Sequence, residues 1–209
     1  MISTRQDGET IWLNIAAWAE QSVANGPGER FVLWVQGCPL HCPSCFNEEY
    51  MPFVQRQRMS VDEAAAMILG TPGIEGVTYS GGEPMAQPKG LYHLGRLIKG
   101  RGLTLVCYSG YTLDELEAMR NPWVPRLLSC IDILIDGRYE QAQRASLPWR
   151  GSRNQRVHFL TNTYRHLEAQ VNQAHQELEF IVGKDGFVST GIFSADFVKR
   201  LEEVLQGDL

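Results

Sequence analysis

The chain has 209 residues, 44% of them hydrophobic and 21% charged, with a net charge of -5 and a pI near 5.6. That length suits one domain with a sizeable core, and the acidic balance argues against an extended nucleic-acid-binding face. No apolar run reaches the ~18 residues needed to span a bilayer, no N-terminal signal pattern is evident, and an odd count of five cysteines disfavours a secreted disulfide framework, so a reducing cytoplasm is expected.

Phe31-Val32-Leu33-Trp34-Val35 is a continuous apolar run ending at Gly37. It reads as a buried parallel strand that delivers the loop Gly37-Cys38-Pro39-Leu40-His41-Cys42-Pro43-Ser44-Cys45-Phe46-Asn47. The cysteines are spaced C-x3-C-x2-C. Three thiolates can hold three corners of a cubane iron–sulfur cluster and leave one iron open, whereas a cluster that only carries electrons normally takes four. Zinc is the competing reading, but structural zinc wants four closed ligands, and the one local candidate, His41, adjoins Cys42.

Ser60-Val61-Asp62-Glu63 has the capping-box form, with a helix following over Ala64 to Leu69. Val77 to Ser80 reads as a short buried strand, and Gly81-Gly82-Glu83-Pro84 follows at once. Paired glycines there let another group approach the backbone closely. Leu91, Leu94, Leu97 and Ile98 fall at helical spacing, Leu103 to Tyr108 is another apolar strand, and Thr112-Leu113-Asp114-Glu115 repeats the capping pattern. Ile131 to Ile135 is a further strand ending at Asp136. Cys107 and Cys130 lie in or beside apolar strands, where a buried free thiol is the default. Strands alternating with helices predict a parallel sheet with crossover helices.

Residues 165–177 are polar and read as a linker. Beyond them, Leu178 to Val182 and Phe187 to Thr190 flank a glycine-bearing turn and predict a hairpin, and Ser194 is placed to cap a last helix through Leu205. The division expected is 1–164 for the main unit and 165–209 for linker, hairpin and helix packed on the same domain.

The cysteine loop followed by Tyr79-Ser80-Gly81-Gly82-Glu83-Pro84 resembles the radical S-adenosylmethionine superfamily. Asn25-Gly26-Pro27-Gly28 goes with the cysteine loop in that wider likeness, and Tyr108-Ser109-Gly110-Tyr111-Thr112, Asp132-Ile133-Leu134-Ile135-Asp136-Gly137 and the segment Trp149 to Arg156 narrow the resemblance to anaerobic ribonucleotide reductase activating proteins and related glycyl-radical activases. The resemblance implies an α/β fold, a partial open (β/α)6 barrel, which the C-terminal hairpin and helix would extend. It implies a 4Fe-4S cluster on Cys38, Cys42 and Cys45, as both metal and catalytic residues, and S-adenosyl-L-methionine on the open iron. Gly81, Gly82, Glu83 and Pro84, with Ser80, are expected against the methionine ammonium, Ser44 and Phe46 near the adenine, and Tyr108 in the cofactor pocket. Asp136 is expected at the cofactor or target loop, or as a turn cap. Arg150, Arg153, Asn154 and Arg156 form a cationic loop that either meets a ligand or is simply solvated.

The activity so implied is reductive cleavage of S-adenosylmethionine to a 5′-deoxyadenosyl radical that installs a glycyl radical on a partner such as an anaerobic ribonucleotide reductase. A flavodoxin-like or other low-potential protein would supply the electron. Two alternatives stand beside it: a stand-alone radical enzyme acting on a peptide, nucleoside or small metabolite, and a non-catalytic iron–sulfur protein.

Overall fold

The computed structural model describes residues 5–6, 9–175, 177–183, 186–192, 200 and 203–204. Short strands β1 (Arg5–Gln6) and β2 (Glu9–Thr10) pair antiparallel ahead of the main sheet. That sheet contains β3 (Trp12–Ser22), β4 (Arg30–Val35), β5 (Gln57–Ser60), β6 (Gly76–Gly81), β7 (Thr104–Ser109), β8 (Ile133–Asp136) and, after the hairpin of β9 (Arg144–Leu147) and β10 (Arg150–Ser152), β11 (Arg156–Phe159). Its order is β11-β8-β7-β6-β4-β3-β5. The four central strands run parallel, β3 and β11 flank them antiparallel, and β5 pairs antiparallel with β3 at the edge. The fold is therefore mixed α/β with one large sheet.

Helices α1 (Val61–Gly70), α2 (Pro88–Lys99), α3 (Leu113–Ala118) and α4 (Trp123–Leu128) lie in the crossovers between the parallel strands. Both predicted capping boxes form: Ser60 and Thr112 each accept from the N3 amide, and Glu63 and Glu115 reach back to the cap amides. Each such cap is worth about 1 kcal/mol. Alternate strand residues (Phe31, Leu33, Val35, Val77, Tyr79, Leu105, Leu134) face Ile68, Leu91, Leu94, Ile98, Leu116 and Leu127 in the principal core. The intervening residues, Val32, Trp34, Val106, Ile133 and Ile135, form smaller clusters on the opposite face. Cys107 and Cys130 are buried free thiols of the helix side.

Arg30, fully buried in β4, ties that second face together. Its guanidinium donates to Thr78 Oγ1 (2.8 Å), Val77 O (2.8 Å), Pro27 O (2.9 Å) and Thr104 Oγ1 (3.1 Å). The expected C-terminal hairpin is present as β12 (Glu177–Gly183) paired with β13 (Gly186–Ile192). The expected last helix lies largely outside the described residues.

Candidate functional site

The cysteine loop leaves the C-terminal end of β4 and is held there by the backbone. Gly37 N–H donates to Tyr50 O (2.8 Å) and Cys38 N–H to Met51 O (2.9 Å), which closes the loop over residues 37–51. Left-handed His41 (φ 47°) and Ser44 (φ 57°) bend it. The segment after β6 lies directly against its start: Gly82 N–H donates to Val35 O (2.7 Å) and Glu83 N–H to Gly37 O (2.9 Å). This contact explains the paired glycines. A Cβ on Gly81 (φ 105°) would lie 2.4 Å from Val35 N, and one on Gly82 would lie 2.4 Å from Gly37 O.

A cavity of about 300 Å³ opens between these loops. Cys38, Cys42, Cys45, Phe46, Ser80, Gly81, Gly82, Glu83 and Tyr108 all line it. Thus the structure brings together most of the residues singled out from sequence. Three do not line it. Ser44 is exposed, and its hydroxyl donates to Gln141 Oε1 (2.9 Å). Pro84 is buried at the start of the turn that follows. Asp136 is buried behind the wall, and the adjacent Gly137 takes the lining position.

Asp136 is fully engaged by protein. Its Oδ2 accepts from Leu113 N–H (2.6 Å) and Arg156 Nη2 (2.9 Å), and its Oδ1 from Arg156 Nε (3.2 Å). His158 Nε2 lies 2.9 Å from Oδ2. Burial works to raise the Asp136 carboxyl, but His158, Arg156 and the Leu113 amide outweigh it and hold the group well below the ordinary carboxylate range. Two more members of the cationic loop are bonded within the protein: Arg150 donates to Gln155 O, Val171 O and Asn172 Oδ1, and Asn154 Nδ2 to Arg138 O.

Glu83 has a similar burden at the cavity itself. It is 1% exposed; Oε1 accepts from Met85 N–H (2.9 Å) and Ser109 Oγ (3.0 Å), and Oε2 from Gly110 N–H (2.8 Å). Burial pushes its carboxyl up to about 7 despite those bonds. Glu83 therefore couples the segment after β6 to the segment after β7. The far wall is aromatic. Phe46 and Tyr139 pack with ring centroids 5.0 Å apart, Arg144 stacks 5.5 Å from the Phe46 centroid, and Trp149 (φ 60°) joins them. Tyr139 and Trp149 escaped sequence reasoning as individual site residues. Their signal was their position in or beside the Asp132–Gly137 and Trp149–Arg156 stretches.

Burial raises the thiols of Cys38 and Cys45, a direction that a bound cation reverses. The donor set fits a cubane cluster: three cysteines, all free of disulfides, line one cavity and offer three thiolates. No helix of the described residues is long and apolar enough to cross a membrane.

Residues 24–158 match a family described as a 4Fe-4S single cluster domain. The anaerobic ribonucleoside-triphosphate reductase-activating protein of Escherichia coli (strain K12) is 30% identical over 162 residues, covering 71% of this chain and 99% of that one. Its Salmonella typhi counterpart is 32% identical over 148 residues, covering 66% and 93%. A solved structure, QueE from Escherichia coli, superposes with a TM-score of 0.43 at 17% identity over 48% of this chain and 53% of that one, too loosely to bear on the fold.

Proposed function

Because the chain belongs to the 4Fe-4S single-cluster family, together with the anaerobic ribonucleoside-triphosphate reductase-activating proteins, we propose that it is a radical S-adenosylmethionine activase of a glycyl-radical enzyme. The observation that carries this reading is the single cavity shared by Cys38, Cys42, Cys45 and the Gly81–Gly82–Glu83 segment. Cys38, Cys42 and Cys45 would hold the cluster. Held there, the cluster would supply the one-electron reduction of S-adenosylmethionine, with the electron drawn from a low-potential, flavodoxin-like donor, and so the reductive cleavage to methionine and a 5′-deoxyadenosyl radical needed to remove a hydrogen atom from a glycine Cα of an anaerobic ribonucleotide reductase.

The chain's own residues bind, orient and shield. Gly81 and Gly82 keep the wall free of side chains, so a polar ligand can reach the backbone. Asn47 Nδ2 donates to Gly81 O (3.3 Å) and fixes that carbonyl. Glu83, its carboxylate spent on three protein donors, acts as a positioning residue by holding Ser109 and Gly110 beside Ser80. Phe46, Tyr108, Tyr139 and Trp149 line the remaining wall with surface that excludes water and offers stacking faces. Ser44 and Pro84 serve by shaping their loops, and Asp136 by fixing the start of α3. The parallel strands with their crossover helices are read as the core of an open, partial (β/α)6 barrel in 1–164, with 165–209 packed on the same domain. A reducing cytoplasm suits three free thiols and an oxygen-labile cluster.

The test is anaerobic reconstitution with iron and sulfide, then incubation with reductant, S-adenosylmethionine and an anaerobic ribonucleotide reductase. A glycyl-radical doublet in electron paramagnetic resonance, with 5′-deoxyadenosine released, is expected. A competent reduced cluster that yields no doublet refutes the assignment.

A further inference from the structure

The helices cover one face of the sheet, while the cavity opens on the other. What closes that second face beside the β3–β4 turn is the C-terminal hairpin. Thr190 and Gly191 of β13 line the cavity together with Asn25 of the turn. Two latches hold the hairpin there. Glu179 of β12 accepts from Ser22 Oγ (2.5 Å) and from Val23 N–H (3.3 Å). Asn25, only 7% exposed, donates from Nδ2 to Thr190 Oγ1 (3.0 Å) and Ser22 Oγ (2.8 Å), and its Oδ1 accepts from Thr190 Oγ1 (3.2 Å). The turn is in turn anchored to β6, since Thr78 Oγ1 donates to Asn25 O (2.8 Å).

The hairpin lies beyond residue 158, where the family match ends, and nearly all of the Escherichia coli relative is accounted for by 71% of this chain. It lies outside the matched family unit yet reaches the cavity that this unit forms. We propose that this hairpin is a positioning wall for the glycine-bearing segment of the partner, with Thr190 and Glu179 setting how that segment enters. The inference rests on the activase reading.

Three physical points support it. Among the described residues, the polar side chains that line the cavity from the turn and hairpin are Asn25 and Thr190, which are uncharged and bond each other, so this wall suits a neutral main chain. Glycines 110, 137, 151 and 191 contribute to the lining, so the wall leaves its backbone open to close approach by another main chain. Finally, hydrogen abstraction requires the donor carbon to be held within reach and stray donors to be kept out, which a fixed wall accomplishes and a mobile one does not.

The test uses the full-length reconstituted chain and its Glu179→Gln, Thr190→Val and Thr190→Ser variants. The readout is the ratio of glycyl radical formed to 5′-deoxyadenosine released, with the KM for the reductase. The ratio is expected to fall about tenfold or more in Glu179→Gln and Thr190→Val, and to be kept in Thr190→Ser, which retains the hydroxyl. A second measurement needs no cluster: in the metal-free chain, hydrogen exchange at the Val23 amide should speed up in Glu179→Gln. Unchanged ratios and KM in both disruptive variants overturn the wall. So does unchanged exchange at Val23, or equal loss in Thr190→Ser and Thr190→Val. Failure of the intact chain to make any glycyl radical instead overturns the activase reading itself.

Discussion

Replacing Asp136 with Asn separates a strut from a ligand. In the native chain its buried carboxylate accepts from the Leu113 amide and from both ends of the Arg156 fork, with His158 alongside. The Leu113 bond is short and charge-assisted, in the class worth about 1.5–3 kcal/mol. Arg156 is 47% exposed in its side chain and rehydrates when released, so its share is at most about 1 kcal/mol. The expected loss for Asp136→Asn is therefore about 2–4 kcal/mol, below the full cost of stranding a buried ion. With a urea slope of about 2 kcal/mol per molar, the midpoint should fall by about 1–2 M. The pH dependence has a definite sign. Because the folded carboxyl is held below its ordinary value, its stabilisation is complete above about pH 4 and fades as the pH falls through the folded value. Urea melts of anaerobic protein should thus show a constant gap between wild type and variant near neutrality, narrowing in acid. An equal gap at about pH 7 and about pH 3, or none at all, refutes the strut.

Each of Cys38→Ala, Cys42→Ala and Cys45→Ala should abolish reconstituted iron and sulfide while leaving the circular dichroism of the sheet intact; a variant that retains a full cluster removes that residue from the ligand set. Gly82→Ala should displace the Gly37 carbonyl, 2.4 Å from the new methyl, and lower both cluster occupancy and stability by an overpacking cost of about 1–3 kcal/mol. Gly70→Ala, where nothing lies within 4 Å, is the matched control and should leave iron content unchanged. Glu83→Ala strands two amides and a hydroxyl, at about 1–3 kcal/mol each, and should be far more destabilising than Glu83→Gln by thermal melt. Because the Glu83 carboxyl titrates up near 7, the wild type should lose stability as pH rises from about 4 towards 7, and Glu83→Gln should lack that slope.

What could be read from the chain alone was local. The strands 31–35, 77–80 and 131–135 announce themselves by continuous apolar runs, and the caps at Ser60 and Thr112 by a three-residue spacing that needs no tertiary partner. The cysteine spacing likewise carries its chemistry in one loop. Strand β3 carries no such signal: its eleven residues mix exposed, intermediate and buried positions without a regular period, and its register against β4 shifts between Ile15 and Ala17 and between Ala19 and Ser22. The sequence around Asp136 does not separate a cofactor contact from a turn cap, because Arg156 and His158 come from β11, twenty and twenty-two residues onward, and only strand pairing brings them to it. Thr190 had no local mark at all. Its role follows from the sheet face on which the hairpin comes to rest.

Glu83 shows why a motif and its geometry can assign the same residue different work. A carboxylate after two glycines invites the reading of a counter-ion for an ammonium group, and the resemblance points the same way. That carboxylate already accepts three protein hydrogen bonds, and burial raises its proton affinity, a penalty that a bound cation would relieve. Its geometry adds a mechanical role. One end of its backbone is bonded to Gly37, beside the first cysteine, while its side chain grips Ser109 and Gly110. A change at Glu83 is thus transmitted to both the cysteine loop and the wall after β7. The two glycines before it supply the open backbone, and Glu83 holds that backbone in register with the cysteines. If Glu83→Gln keeps full iron content and stability but loses S-adenosylmethionine binding alone, measured by calorimetry on the reconstituted protein, the carboxylate is a direct ligand and this division of labour is wrong.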